Sequence, residues 1–301
     1  MVISYPGPYK LTLMNGTQIL YCISQLNGYG PAALRKLIQS DLPLSIEEIP
    51  DLLNINNTDD IKDSISKGLE MWERSVNSGI GILSPLDHAY PDRFRQLPDL
   101  PPLISFKGDL HCLQEPTVAI IGSRDASPYA MKAGPRLAKY FVEAGFTIIS
   151  GLAKGCDALA HRTAVEHHAS TVAITPSGLP LIYPAEHRSL ADAIMENNGL
   201  LISEQPYNKV PRAGDFVQRD RLQSALSLGL AVIETKVGGG TMHTVRFAKA
   251  QQKPVACLYP QVDLPDGNAL IVREFNGIKL QDRNDILNYI QKLLDQKSGK
   301  V

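Results

Sequence analysis

The chain has little of what secreted, zinc-binding and membrane proteins need. Its four cysteines are scattered without a Cys-x-x-Cys pair, which argues against a zinc site and against a disulfide framework. No stretch approaches the ~18 to 20 uninterrupted apolar residues of a membrane helix, and the first residues show no secretory signal pattern. We therefore expect a soluble, cytoplasmic protein without a metal or a cofactor and without a membrane partner.

An excess of one charge is also missing. The sequence has 30 lysines and arginines against 31 aspartates and glutamates, which gives a formal net charge of -1. Because no global field attracts nucleic acid, any binding of a polyanion requires a focused basic site. The region between Pro116 and Pro260 favours such a site, since 15 basic residues stand there against 11 acidic ones.

The most informative stretch runs from Thr117 to Arg124 and begins with a largely β-branched run. The lack of polar alternation in this run predicts a parallel strand that is covered on both faces. At its end Gly122 lets the backbone approach a ligand, while Ser123 and Arg124 supply a hydroxyl and a planar guanidinium. With amides at the start of the next helix, around Ser127, they predict an anion cradle. The other interpretation is an ordinary strand-to-helix turn with a surface arginine.

Strand-like runs and amphipathic helices alternate along most of the chain. The pattern begins with a strand, a helix and a strand within about 30 residues, which is the size of a βαβ unit. Six strands are predicted, over residues 117–121, 146–150, 171–175, 200–204, 230–234 and 254–258. A short extra strand is predicted over 103–106. The alternation predicts an α/β fold with a long parallel sheet flanked by helices.

Two more glycine-containing loops follow predicted strands. Because the carboxyl ends of parallel strands meet at one edge of a sheet, both loops should lie beside the anion cradle, where open α/β folds bind ligands. The candidate ligand-binding residues of these loops are Ser150, Gly151, Lys154, Gly155, Gly240 and Thr241.

Asp157 and His161 lie one helical turn apart in the helix that should follow the second strand. This spacing suits an acid–base pair or two metal ligands. The favoured interpretation is that Asp157 caps the loop or the helix start and that His161 packs beneath it.

The N-terminal region has a different pattern. Two helices are predicted between Thr17 and Ile38, joined by a glycine turn with Pro31 at the start of the second, and a third helix over 60–77. The turn resembles a helix-hairpin-helix or SAM-like module, which grips DNA phosphates, or it is purely architectural. We predict a small all-helical domain over 1–80, a sheet domain over 81–262, and a helical tail over 263–301 that docks on the sheet or pairs with a partner chain.

Six motifs taken in order resemble the DprA/Smf family of DNA-processing proteins, in a form without a winged-helix segment after the sixth strand. The first motif is weak alone, and six motifs in register from Val118 to Pro260 make the resemblance specific. They are Gly122-Ser123-Arg124 with Ser127 and Tyr129, Ser150-Gly151-x-Ala153-x-Gly155-x-Asp157-x-x-Ala160-His161, Gly178-Leu179-x-x-x-Tyr183-Pro184-x-x-His187, Ser203-Glu204-x-Pro206, Phe216-x-x-Arg219-x-Arg221 and Gly240-Thr241-x-x-Thr244.

The resemblance implies a Rossmann-like domain that binds single-stranded DNA without catalysis, as a homodimer, and helps load a RecA-like recombinase during transformation. On the matching positions, Arg124, Arg219 and Arg221 would contact phosphates and Phe216 would stack on a base, although a core phenylalanine with surface arginines is the alternative. The predicted DNA-binding residues are Gly122, Ser123, Arg124, Ser150, Gly151, Lys154, Gly155, Phe216, Arg219, Arg221, Gly240 and Thr241.

Departures from the family pattern leave other functions open. Asp220 stands where the family usually has asparagine, and its charge lowers the local potential between two arginines. A defence-associated relative or a sensor of a small nucleotide would use the same cradle. A nucleotide hydrolase of the lysine-decarboxylase-like type would use residues 238–241, but no carboxylate follows in the next helical turn, so Glu204 or Glu234 would have to substitute.

Overall fold

The structure is a computed structural model that describes residues 14–39 and 58–298. Its chain divides into two compact units, Met1–Ser105 and Phe106–Val301. The predicted domain boundary at residues 80 and 81 falls inside the first unit, and the predicted tail over 263–301 falls inside the second. None of the helices in the described residues is long and apolar enough to cross a bilayer.

The first unit is mainly helical, as the sequence predicts. Its described elements are α1 (Gly16–Ile23), α2 (Pro31–Gln39), α3 (Thr58–Asn77), β1 (Gly81–Leu83) and α4 (Asp92–Arg95).

Local capping explains where α1 begins. Asn15 accepts a hydrogen bond from the Gln18 amide at 2.9 Å, and Gln18 accepts one from the Asn15 amide at 3.1 Å. The ring of Trp72 on α3 packs edge-to-face on Tyr21 of α1, with centroids 5.7 Å apart. The bounds of α1, α2 and α3 confirm the three predicted N-terminal helices.

The second unit contains the parallel sheet. β2 (Ile104–Gly108) crosses into it from the first unit. The other strands are β3 (Thr117–Ile121), β4 (Thr147–Ser150), β5 (Thr171–Ile174), β6 (Leu200–Ser203), β7 (Leu230–Val232), β8 (Val255–Leu258) and β9 (Ile278–Leu280). The helices are α5 (Pro128–Glu143), α6 (Cys156–Glu166), α7 (Arg188–Glu196), α8 (Ala213–Leu226), α9 (Thr241–Ala250), α10 (Asp266–Glu274) and α11 (Arg283–Lys297).

The strand order is β6-β5-β4-β3-β7-β8-β9, and neighbouring strands are parallel. From β3 the chain adds strands outward to β6 on one side, then returns to place β7 on the other side of β3. Ala119 of β3 accordingly pairs with Ile149 of β4 and with Leu230 of β7. This is a doubly wound, Rossmann-like sheet whose direction of winding reverses between β3 and β7, the position where such folds bind ligands. The predicted fold class and all six predicted strands are confirmed.

The C-terminal segment forms part of this unit and is not a separate helical tail. β9 extends the sheet by pairing with β8. On α11, the side chains of Ile286, Tyr289 and Leu293 are buried in the same core as β3 and α5. The Tyr289 hydroxyl lies 2.8 Å from the Leu230 carbonyl oxygen at the start of β7. The apolar face of α11 is therefore buried against the sheet. Docking on the sheet was one of the two outcomes expected for this helix.

Candidate nucleic-acid interface

A cavity of about 690 Å³ opens where the winding of the sheet reverses. Its walls are the loops that follow β3, β4 and β7, together with one face of α8 and the side chain of Tyr183. The loops that the sequence predicts to converge therefore do so, at the carboxyl edge of the sheet. All of the lining residues belong to the second unit.

The loop after β3 packs tightly against its neighbours. A Cβ atom at Gly122 would lie 2.6 Å from the Cys156 sulfur, so only glycine fits this approach to α6. The amide of Ser123 donates to the Glu234 carbonyl oxygen at 2.9 Å. The Ser127 amide and hydroxyl both donate to the Glu234 carboxylate, at 2.7 and 2.6 Å. The Ser127 amide is thus taken by Glu234, which corrects the expectation that it faces an anion.

The loop after β4 is also held by internal hydrogen bonds. The buried Asp157 carboxylate accepts from the amides of Gly151 and Ala153, at 3.1 and 3.3 Å. Ser150 is fully buried, and its hydroxyl donates to the carbonyl oxygen of Ile120 at 2.7 Å. These contacts confirm that Asp157 caps the loop. They also place the polar groups of Ser150 and Gly151 in the interior. Both residues therefore support the loop that borders the cavity but do not line the cavity themselves.

Gly155 joins the two loops. Its backbone has a φ of 69°, and a Cβ atom there would lie 2.4 Å from the carbonyl oxygens of Ser123 and Arg124. The amide of Cys156 donates to the Ser123 carbonyl oxygen at 3.0 Å. Gly155 therefore permits contact between the β3 and β4 loops and is not itself among the residues that line the cavity.

Lys154 lies in this loop with its ammonium in solvent. Its Nζ is 2.9 Å from Glu186 Oε2, and both side chains are 56% exposed. A solvent-exposed pair of this kind contributes little to stability. Lys154 is outside the lining of the cavity, and its nearest charge is an acid.

Arg219 lies in the interior of the protein, against the cavity. Its side chain is 5% exposed, and Nη1 donates to the carbonyl oxygens of Gly151 and Ile174, each at 2.5 Å. Its Nε donates to Asp220 Oδ1 at 3.1 Å. The side-chain amide of Gln223 lies 3.0 Å away, with its oxygen as the acceptor. The guanidinium therefore ties β4, β5 and α8 together, which does not support its predicted contact with phosphate.

Arg221 points away from the cavity. Two residues along an α-helix correspond to a rotation of about 200°, so Arg219 and Arg221 lie on opposite faces of α8. Arg221 is buried and donates to Glu204 Oε2 at 2.5 Å. The structure thus separates two arginines that the sequence interpretation assigned to one phosphate site.

Arg124 and Phe216 do come together. The Arg124 guanidinium carbon lies 4.8 Å from the centroid of the Phe216 ring, in cation–π geometry. Tyr183 adds a second aromatic ring, 5.5 Å from Phe216 with an interplanar angle of 71°. Arg124 and Tyr183 are exposed, and all three side chains line the cavity. Tyr183 was not predicted as a site residue, although it stands in a motif that follows the end of β5.

The loop after β7 supplies the opposite wall. Gly240 and Thr241 line the cavity as candidate residues, together with Lys236 and His243, which the sequence interpretation missed. A Cβ atom at Gly240 would have no atom within 4 Å, so the backbone there borders open space. Helix α9 begins at Thr241, and the positive end of its dipole faces the cavity. Lys236 could have been suspected because it follows a strand end by only a few residues.

Three acids also line the cavity, namely Asp125, Asp157 and Asp220. Burial raises the pKa of Asp220 to about 6, against the opposing effect of the Arg219 guanidinium. Burial likewise raises the pKa of Asp157, again opposed by Arg219. The cavity is therefore lined by both signs of charge, with Arg124 and Lys236 towards the loops and the buried acids beside α8.

His161 is not part of an acid–base pair. It is fully buried, and its Nδ1 lies 2.8 Å from the Thr171 hydroxyl. Burial lowers the pKa of His161 to about 3, so the ring is neutral at physiological pH. Within residues 14–39 and 58–298, no cluster of three His, Cys, Asp or Glu side chains is arranged to hold a metal ion.

The two glutamates considered for catalysis are both engaged elsewhere. Glu234 binds the start of α5 through Ser127, and Glu204 binds Arg221. Neither lines the cavity. A hydrolase mechanism that uses either glutamate as its acid or base has no support from this geometry.

The family model for DNA recombination-mediator protein A matches residues 81–291. The chain belongs to this family. Protein Smf of Escherichia coli is 32% identical over 204 residues, which are 67% of this chain and 54% of that protein. The DprA protein of Streptococcus pneumoniae is 33% identical over 199 residues, or 65% of this chain and 69% of that protein. The chain thus spans only about half of the E. coli relative.

Solved structures of DprA proteins share the fold. The X-ray structure of DprA from Streptococcus pneumoniae has a TM-score of 0.76 and 25% identity, covering 91% of this chain and 98% of that one. DprA from Helicobacter pylori, which has been described in a single-stranded DNA binding mode, has a TM-score of 0.64 and 30% identity, covering 72% of this chain and 96% of that one. The predicted DprA/Smf resemblance is confirmed.

Proposed function

We propose that this DprA-family protein binds single-stranded DNA along the carboxyl edge of its sheet, with Arg124 and Phe216 at the centre of the site. The observation that carries the proposal is the stacked Arg124–Phe216 pair at a cavity lined by glycine loops. Proteins that bind single strands combine cations that follow the backbone with flat side chains on which bases stack. The exposed faces of this pair and of Tyr183 offer both features.

The phosphate groups would contact the loops on either side of this pair. Lys236, the backbone at Gly240 and the first turn of α9 at Thr241 border the cavity opposite Arg124. Gly122 and Ser123 bring the β3 loop to the same opening. Of the predicted DNA-binding residues, Gly122, Ser123, Gly240 and Thr241 remain in the proposal as candidate contacts, beside Arg124 and Phe216.

The other predicted residues take supporting roles in the proposal. Ser150, Gly151, Gly155 and Arg219 hold the loops and α8 in position through the buried contacts described above. Lys154 and Arg221 face Glu186 and Glu204.

The biological role that we propose follows the family description, recombination mediator. The protein would bind single strands in the cytoplasm without catalysis, protect them, act as a homodimer and help a RecA-like recombinase to load. Sedimentation of the protein with and without an oligonucleotide tests the dimer. Recombinase filament assembly on strands coated with a single-strand-binding protein tests the loading.

Arg124→Ala should weaken binding of a labelled oligothymidylate about tenfold at low salt, because it removes a cation and one side of the stacking platform. Each phosphate contact contributes about 0.7 to the slope of log affinity against log salt for single strands, so the slope should also become shallower by about that amount. Fluorescence anisotropy across a salt series measures both quantities.

Arg136→Ala is the matched control, because Arg136 is exposed on α5 and lies outside the cavity lining. This control should bind as the native chain does. Equal affinities for native protein and Arg124→Ala would remove Arg124, and with it the centre of the proposed site.

A small nucleotide is the second candidate ligand, and the size of the cavity favours it. A volume of about 690 Å³ lies within the range of roughly 300–1,000 Å³ that is usual for small-molecule sites. The salt series separates the two functions, since a strand held at several phosphates gives a steep slope and one nucleotide gives a shallow one.

A further inference from the structure

Asp220 occupies a position that suits recognition of a base. It lies four residues after Phe216 on α8, so the two side chains are on the same face of the helix, about 6 Å apart along its axis. Both line the cavity, and the Asp220 side chain retains 13% of its exposure.

One oxygen of the Asp220 carboxylate, a residue that lines the cavity, keeps its acceptor capacity. Oδ1 accepts from Arg219 Nε at 3.1 Å, and among the described residues no hydrogen bond reaches Oδ2. The guanidinium of Arg219 already has acceptors at Gly151 and Ile174, so it fixes the position of Asp220 through Nε while the rest of it is directed into the protein. The carboxylate is therefore an oriented acceptor with free capacity.

Arg124 does not close this acceptor. Within the described residues, no ion pair within 4.0 Å joins Arg124 to Asp220, although the Arg124 charge helps to lower the pKa of that acid. Arg124 instead lies over the Phe216 ring. The second face of its guanidinium is available to stack on a base, as arginine planes do in complexes with single strands.

The chemistry of the acceptor selects among the bases. Guanine presents two parallel donors, N1–H and the N2 amino group. Asp220 Oδ2 can accept from one of them, and Oδ1, which already accepts from Arg219 Nε, keeps one lone pair for the other. Cytosine and adenine each present one amino group, as in the pairing of acidic side chains with the cytosine amino group. Thymine places carbonyl oxygens on both sides of its only donor, so a carboxylate repels them.

We propose that Asp220 makes this cavity a base-specific subsite that prefers guanine over thymine in a single strand stacked at Arg124 and Phe216. The subsite rests on the proposed function, since it needs a strand bound at this edge of the sheet. It adds sequence preference to binding that phosphate contacts alone would leave indifferent to sequence.

The experiment compares oligothymidylates of equal length in which every third nucleotide is replaced by dG, dC or dA. Isolated guanines avoid four-stranded structures and hairpins. We expect the dG oligonucleotide to bind the native protein about fivefold more tightly than pure oligothymidylate, the lower end of the discrimination that one carboxylate–base pair provides. The Asp220→Asn variant should lose this preference while binding oligothymidylate at least as tightly as the native chain.

Asp125→Asn is the matched control, because it removes one acid from the same cavity at an exposed position. It should keep the guanine preference of the native chain. A native preference of less than twofold, or a preference that survives in Asp220→Asn, overturns the subsite. If the native chain binds none of the four oligonucleotides, the proposed function itself fails.

Acidification gives a second readout that a purely structural role would not move. Because the pKa of Asp220 is raised to about 6, the carboxylate is ionised at pH 7.5 and mostly protonated at pH 5. The charged groups around it are Arg219 on α8, Asp157 on α6 and Arg124 on the β3 loop. The guanine preference should shrink between these pH values in the native chain and stay constant in Asp220→Asn. A native preference that is equal at both pH values would contradict the subsite.

Discussion

Gly155→Ala should lower the free energy of unfolding of the second unit by about 3 kcal/mol. Alanine at a positive φ is strained, and its Cβ atom would clash with neighbouring backbone. The new Cβ would lie 2.4 Å from two backbone carbonyl oxygens, those of Ser123 and Arg124, in a residue whose φ is 69°. Neither carbonyl is the end of a flexible side chain, so the β3 and β4 loops must move apart. Urea unfolding followed by circular dichroism measures the loss.

The same displacement should reduce binding of oligothymidylate, because the moved loop carries Arg124. Gly214→Ala is the control, since a Cβ atom there meets nothing within 4 Å and the residue lies in the first turn of α8. Replacing a helical glycine by alanine should leave stability equal or raise it by about 0.5–1 kcal/mol. If Gly155→Ala is as stable as the native chain, the close contact between the loops is not present in solution.

Arg219→Ala should destabilise the protein by about 3 kcal/mol, as expected when one partner of a buried ionic network is removed. The substitution leaves the carbonyl oxygens of Gly151 and Ile174 without their donor and leaves Asp220 without its cation. The loss should be larger at pH 8 than at pH 5. Without the cation, the already raised pKa of Asp220 rises further, so the ionised folded state is penalised as the pH increases through that pKa.

Arg246→Ala on the exposed face of α9 is the control, and it should change stability by less than about 0.5 kcal/mol. The comparison also decides between two roles for Arg219. A phosphate ligand would lose DNA affinity at unchanged stability, whereas the buried position predicts lost stability first. A stable Arg219→Ala that fails to bind oligonucleotides would contradict the structural role.

The contrast between Arg219 and Arg221 shows why the site was only partly predictable. Both are arginines in one motif, and their residue type does not separate them. The helical period places them on opposite faces of α8. Carbonyl oxygens at the ends of β4 and β5 then accept hydrogen bonds from Arg219, which keeps its guanidinium in the interior of the protein. Arg124, which follows the end of β3 at the position where the winding reverses, lines the cavity.

The backbone amides of the glycine-containing loops were also only partly predictable, because some of them already donate to acceptors within the protein. Glycine loops after parallel strands predict an anion cradle, yet the carboxylates of Asp157 and Glu234 already accept from several of these amides. These acids lie 6 and 107 residues away along the chain from the amides that they bind, Gly151 and Ser127. No local pattern connects a strand-end glutamate to a serine in a distant loop.

The sequence by itself determined the order of strands and helices, the α/β class and the edge of the sheet at which the glycine-containing loops converge. These features depend on hydrophobic periodicity and on glycine positions, which are local properties of the chain. Only the tertiary structure decided which polar groups remain available at that edge, and that β9 and α11 complete the sheet unit. Hydrogen-bond partners are set by contacts between residues far apart in sequence, so a buried arginine and an exposed arginine at the cavity look alike until the chain is folded.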